Sequence, residues 1–361
     1  MESELKRDLI RGHGAAEHGV IDPSRIVRVA RIWAASFTGA QGIRVDRLPG
    51  GPLSADMHAR ITEFERRIAT TDVGGQSTIC DQGRDYSRFW RAIGRARAFA
   101  ATDTSGRIVG VGAAVGMRLR MPSGRTRRAT YLGHLRVLPE CRFGPAIAAL
   151  SARLGATAAL LGPTVFGVVS ERSGFHPERV AKGMGAPSLQ RFGAFTLLYF
   201  ESGPDDHSLR RVRDATESEA RSAYLRFTRD MIASTGGAPQ MRSGRAPRWL
   251  ITADGDACAC IEDCDLVRRW IQPDGSHLAV MSLSFFAWAS IESAAAIVRA
   301  ALAIAHEAGV PQVRLIIDDA VADGLVDAIG IAPKIRHAWS IRGYSPWGMP
   351  AAAWSLHPTE L

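Results

Sequence analysis

The sequence predicts an α/β (α+β) protein of two consecutive halves, each a mixed, mostly antiparallel sheet with a central parallel crossover flanked by helices. The chain's 361 residues exceed one ordinary core and suit two domains of roughly 150–200 residues. In the middle of the first half a strand, an apolar helix and a second strand follow one another directly, which marks a parallel crossover unit. The same succession of meander, helix, strand, helix and strand recurs in the second half with different residues, an internal structural duplication without a sequence repeat. The segment ESGPDDHS, residues 201–208, reads as the linker, giving domains 1–203 and 204–361. A composition of 46% hydrophobic and 22% charged residues is that of folded globular chains, so both halves are expected to fold.

The first half opens on an amphipathic helix over 23–37, where Ile26, Val29, Ala30, Trp33 and Phe37 recur at helical spacing. A second helix is expected over 55–70. DYSRFWRAIGR then predicts a short helix, followed by a strand over 96–102, a turn at Ser105-Gly106 and a long strand to Met121. Pro122-Ser123-Gly124 supplies the next turn and 129–138 the next strand. The crossover comprises helix 147–161 and strand 163–170. A short helix over 178–182 and a strand over 192–200 close the half. The second half predicts a helix over 217–234 and strands over 249–253, 258–267, 268–272 and 277–285. An alanine-rich helix over 291–308, a strand over 312–317, a helix over 320–329 and a last strand over 335–342 complete it.

The N-terminus MESELKRDLIRGHG is charged where an export signal would be apolar, so the chain is expected in the cytoplasm. The most apolar run, 146–170, is broken by Arg153, Gly155, Gly162 and Pro163, so no membrane span is expected. The formal charge of +9 comes almost entirely from arginine, Lys6, Lys182 and Lys334 being the only lysines. Arginine grips phosphates and carboxylates in a bidentate manner. A phosphorylated cofactor or an acidic carrier protein fits that balance, whereas no recognition helix or aromatic-basic motif supports nucleic acid. Cys258, Cys260 and Cys264 share one strand face. No second ligand pair follows at zinc spacing, so core packing is preferred and no metal is expected.

Chemistry enters at LRVLPECRFGPA, residues 135–146. A loop with glycine running into a helix N-terminus offers free N–H groups and a positive dipole end to a diphosphate. This segment resembles the central signature of GNAT-type N-acyltransferases, in which an aliphatic-x-Val-x-Pro-Glu strand end runs into an Arg/Gln-x-x-Gly-x-Gly/Ala loop. The likeness extends to the preceding meander and the following crossover, over roughly 200 residues. It implies an acyl-CoA co-substrate held by Leu135, Arg136, Val137, Arg142, Phe143, Gly144 and Ala146. The match is imperfect. Counted from Arg142 the glycine comes one residue early, counted from Cys141 the basic residue is missing, and Pro145 removes one donor. The loop can also be a plain strand-to-helix turn.

In that family the general base often sits four or six residues before the Val at position 137, here Gly133 and Tyr131. Tyr131 could relay a proton through water. His134 has the better pKa but the opposite parity, and reaches the site only if a β-bulge re-aims it, as the family does on this strand. It reads equally as a satisfied core histidine. Glu171, at the end of the next parallel strand, is either a second base or a helix cap. The tyrosine that usually protonates the leaving thiolate is absent from ERSGFHPERVAKG. Tyr86, Phe89 and Trp90 precede the meander where relatives bind their acceptor, and core packing suits them as well. Arg118, Arg120, Arg125, Arg127 and Arg128 crowd one hairpin that is either solvated or meets an acidic partner.

The second half's counterpart loop, Phe285-Phe286-Ala287-Trp288-Ala289-Ser290, has neither glycine nor a basic residue. It is expected to fill its own groove and shape the first half's acceptor site, like the degenerate half of a tandem GNAT protein. The resemblance therefore implies acyl transfer, of acetyl or a longer fatty acyl group, from CoA to a primary amine of a small molecule or a peptide side chain. Two alternatives remain: long-chain transfer to a lysine or ornithine of a ribosomal peptide, and a non-catalytic CoA-ester sensor.

Overall fold

The computed structural model describes residues 42–68, 70–73, 76–142, 144–173, 177–183, 188–235 and 237–357. The helix expected over 23–37 lies outside them. The first half contains β1 (Arg44–Arg47), α1 (Ala55–Arg67), β2 (Thr70–Val73), β3 (Gln76–Asp81), α2 (Arg88–Arg91), β4 (Arg95–Thr102), β5 (Ile108–Arg120), β6 (Thr126–Val137), α3 (Pro145–Leu161), β7 (Thr164–Ser170), α4 (Pro177–Gly183) and β8 (Gln190–Glu201). The second contains α5 (Asp206–Arg211), β9 (Val212–Asp214), α6 (Glu217–Phe227), β10 (Ile232–Ser234), α7 (Pro239–Arg242), β11 (Arg248–Thr252), β12 (Ala257–Asp263), β13 (Arg269–Ile271), β14 (His277–Leu278), β15 (Val280–Trp288), α8 (Ile291–Glu307), β16 (Gln312–Asp318), α9 (Ala322–Ile329), β17 (Ile335–Tyr344) and β18 (Trp354–Ser355).

Local chemistry explains where these elements begin and end. Ser54 caps α1 by accepting from the Met57 N–H at 3.2 Å, Asp56 lies in the first turn, and Arg66 and Arg67 lie in the last, complementing the helix dipole. Ser290 does the same for α8 through the Ser293 N–H at 3.2 Å. α8 is rich in alanine and is buried along most of its length against β11, β12, β15 and β16. Gly330 ends α9 at φ 70, a left-handed position that costs glycine nothing.

Twelve strands lie in the order β1-β4-β5-β6-β7-β17-β8-β16-β15-β12-β11-β9, with β10 and β18 attached beside β5 in one 14-stranded sheet. Besides the short β10–β18 pair, the parallel pairs are β6 with β7 and β15 with β16, one in each half, each bridged by its crossover helix. Between them sit β17 and β8, paired antiparallel from Ile335↔Tyr199 to Gly343↔Gln190. The last long strand of each half has therefore crossed over. β17 adds to β7 of the first half, and β8 adds to β16 of the second. A four-stranded sheet, β14-β13-β3-β2, stitches the halves together again.

Two expectations are corrected. The helix over 217–234 stops at Phe227, and Ile232–Ser234 instead pairs with β5 and β18. The expected strand 258–267 ends at Asp263, so Cys264 does not share a strand face with Cys258 and Cys260 but opens a turn closed by the Arg268 N–H on its carbonyl at 2.8 Å. No helix among the described residues is long and apolar enough to cross a membrane.

Candidate functional site

β6 and β7 pair only over Ala129–Leu132 and Thr164–Gly167. Past that point β6 continues against β5 to Val137 while β7 continues against β17 to Ser170, so the two strands open into a V. At the opening β6 carries a bulge. Gly133 faces Ala113 and Arg136 faces Val111, so His134 and Leu135 together oppose Gly112. His134 takes φ 53, in the left-handed region, which re-aims the strand by one residue. The Leu138 N–H donates to the Val109 carbonyl at 3.0 Å. By strand alternation Arg136 also turns its backbone to β5, and Leu135 and Val137 turn theirs to the open V.

After β6 the chain makes a tight turn over Pro139–Cys141 and enters α3. Gly144 is the N-cap and Pro145 the first helical residue, and no side chain among the described residues caps the helix. The free donors are thus the N–H groups of Ala146 and Ile147, since proline has none and the Gly144 carbonyl begins the helical ladder. The Gly144 N–H is turned back to the Cys141 carbonyl at 3.2 Å and the Arg142 N–H to Pro139 at 3.4 Å. The Arg142 side chain is exposed, and Phe143 lies outside the described residues. Ile147, absent from the sequence-derived set, follows from the position of the cap.

The bulge carries His134 into a buried polar cluster. Its Nε2 lies 3.2 Å from Glu65 Oε1, and the other Glu65 oxygen accepts from Arg136 Nη1. Arg136 Nη2 also donates to the Ile68 carbonyl at 2.7 Å. Burial alone would raise the Glu65 carboxyl, but Arg136 and the hydrogen bond from His134 outweigh it and hold the group below its ordinary range. Burial pushes His134 down to about 4 against the pull of Glu65. His134 is therefore neutral at pH 7. A carboxylate only accepts, so Nε2 carries the hydrogen and Nδ1 keeps its lone pair.

Aromatic rings enclose this imidazole, Tyr86 at 5.9 Å and Trp90 at 5.8 Å between centroids. Tyr131 lies 6.4 Å from Trp90 and 5.5 Å from Phe166. Tyr86, Phe89 and Trp90 are all 0% exposed. The Tyr86 hydroxyl and the Trp90 Nε1–H nevertheless have no hydrogen-bond partner among the described residues. The second half contributes Arg268, whose guanidinium stacks 3.7 Å above the Phe89 ring and 5.5 Å from that of Trp90. Glu171 stands apart at the exposed end of β7, 3.7 Å from Arg342. Sequence reasoning missed Glu65 and Arg268, since contacts across such separations leave no local pattern.

The second half repeats the scaffold with different contents. β15 and β16 pair only over Val280–Ser282 and Gln312–Arg314 and then diverge. A bulge places Phe285 and Phe286 opposite Ala259, with Phe285 at φ 51. Here the bulge N–H is already engaged, donating from Phe285 to His357 Nδ1 at 3.1 Å. The rings of Tyr224, Trp249 and His357 pack on Phe285, and the Arg221 guanidinium lies 4.2 Å from its centroid.

No family model matches the chain, and no curated protein matches it. Solved structures do. Saccharomyces cerevisiae N-myristoyltransferase with bound myristoyl-CoA superposes with a TM-score of 0.53 at 7% identity, covering 83% of this chain and 82% of that one. A GCN5-related glucosamine N-acetyltransferase region of a fungal multi-domain GH3 β-N-acetylglucosaminidase gives 0.53 at 12% identity, over 85% of this chain and 38% of that one. The architecture shared at so low an identity is the fold.

Proposed function

We propose that this chain, which carries the doubled fold of the GCN5-related N-acetyltransferases and N-myristoyltransferase, is an N-acyltransferase that moves an acyl group from CoA to a primary amine. The observation that carries the reading is the V between β6 and β7, opened at a bulge and followed by the uncapped start of α3. The backbone groups of Leu135 and Val137 would hold the pantetheine arm and polarise the thioester carbonyl. The Ala146 and Ile147 N–H groups, with Arg142 beside them, would take the pyrophosphate. The second half would bind no donor, because the rings of Tyr224, Trp249 and His357 fill the space at its bulge and Ser290 already caps the start of α8.

The amine nitrogen attacks the thioester carbon, the C–N bond forms and the C–S bond breaks. The proton lost by nitrogen passes to His134 Nδ1 and on to the departing CoA thiolate. Glu65 fixes the tautomer and steadies the imidazolium. An imidazolium of pKa about 4 is a willing donor to a thiolate, and burial keeps the free base unprotonated beforehand. Tyr131, packed between Trp90 and Phe166, would act only as a relay through water, whereas Glu171 would serve only as the partner of Arg342.

Burial of His134 beneath Tyr86 and Trp90 supports a second reading, a CoA-ester sensor that binds without turning over. A donor-consumption assay separates the two. Acyl-CoA donors from acetyl to palmitoyl are offered with a panel of amines, and free thiol is measured. Thiol release that depends on the amine supports the enzyme and reads the acyl length, including the long-chain peptide version. Binding of CoA esters with no thiol released by any amine supports the sensor.

A further inference from the structure

A cleft of about 370 Å³ lies where the first-half loop before α2 meets the second-half turn before β13. Its walls are Pro52, Gln82, Arg84, Asp85, Arg88 and, from the second half, Leu266. Three features mark it as a polar binding site. Gln82 is 3% exposed, yet its Oε1 has no hydrogen-bond partner among the described residues while its Nε2 donates to Cys80 Sγ at 3.5 Å. An unpaired buried acceptor is costly and calls for a donor. The charges on the walls are unequal, because Asp85 is paired with Arg91 at 2.6 Å, leaving Arg84 and Arg88 as the cations of the lining, Arg88 with its Nε donating to the Met241 carbonyl at 3.0 Å. Finally, the cleft adjoins the chemistry. Tyr86 directly follows the lining residue Asp85, its own hydroxyl has no partner among the described residues, and its ring stands 5.9 Å from that of His134.

We infer that this cleft holds the acyl acceptor, and that the acceptor is a small amine bearing a carboxylate. The amine end would donate to Gln82 Oε1, at the wall behind which Tyr86 is buried, and the carboxylate would lie between the guanidiniums of Arg84 and Arg88. The volume suits a single amino acid and is too small for an extended peptide. Which end becomes acylated rests on the acyl-transfer reading, but binding of the carboxylate does not.

The test is ligand-observed NMR on the full-length protein. The probes are the standard amino acids, each paired with its own carboxamide, and the same preparations are titrated with acyl-CoA. At least one amino acid is expected to bind, with its carboxamide at least about tenfold weaker and with a similar loss in Arg84→Glu/Arg88→Glu. Arg84 is exposed, so Arg84→Glu alone keeps the fold and is expected to lose part of the affinity. Acyl-CoA affinity stays unchanged in both variants. The inference is overturned if no amino acid binds, if the carboxamides bind equally well, if only acidic peptides bind, or if the variants retain the wild-type affinity. Amino-acid binding without any acyl-CoA binding would retire the acyl-transfer reading and leave the cleft standing. Acyl-CoA binding without any amino-acid binding would do the reverse.

Discussion

His134 is strained for a purpose that its neighbours explain. A non-glycine residue at φ 53 is uncommon, and the bulge is what brings the imidazole onto Glu65. Burial lowers His134 to about 4, whereas the unfolded chain binds that proton near pH 6.5. Between those values the unfolded state holds more protons, so stability present above pH 6.5 falls as the pH drops toward 4, by about 1.4 kcal/mol per unit. His357, also lowered by burial, acts in the same direction. Urea denaturation of His134→Asn, which suits the left-handed backbone, is expected to show a shallower acid slope than the wild type without losing it. The same variant should lose about 10²–10⁴-fold in acyl transfer, the usual worth of a positioned base. Of this cluster, His134 was legible in the sequence once a bulge was allowed for. Glu65 was not, because 69 residues separate it from its partner.

Strands and turns were the legible elements, since alternation and Gly/Pro punctuation are local. The long strands β5 and β6 and the crossover α3–β7 lie within a few residues of their expected places. α6 was over-extended because Ile232 and Ala233 carry an apolar pattern that suits either state, and pairing with β5 and β18 decided it. The apex of the V depends on Gly167, where a Cβ would sit 2.9 Å from the Leu132 carbonyl. Gly167→Ala is therefore expected to prise β6 from β7 at their last paired rung. Thermal denaturation should report a loss of about 1–3 kcal/mol, with acyl-CoA affinity reduced as well.

At the scale of the molecule, the order of events along the chain was readable but the exchange of last strands was not. β8 and β17 each look like the close of their own half, and nothing local in 190–201 or 335–344 names a partner. The consequence is mutual dependence. A fragment of residues 1–203 would leave β7 without β17 and β8 without β16, an unpaired edge prone to aggregation. It is expected to be insoluble alone and to be recovered with 204–361 by co-expression, which solubility and gel filtration will show. The central claim, that the first half alone grips an acyl-CoA through its opened strand and the start of α3, is most directly tested by amide hydrogen exchange with and without palmitoyl-CoA and acetyl-CoA. Exchange at Leu135, Val137, Ala146 and Ile147 is expected to slow by about tenfold or more, with residues 283–288 unaffected. Unchanged exchange at those four amides in the presence of either donor, or slowing confined to the second half, would contradict it.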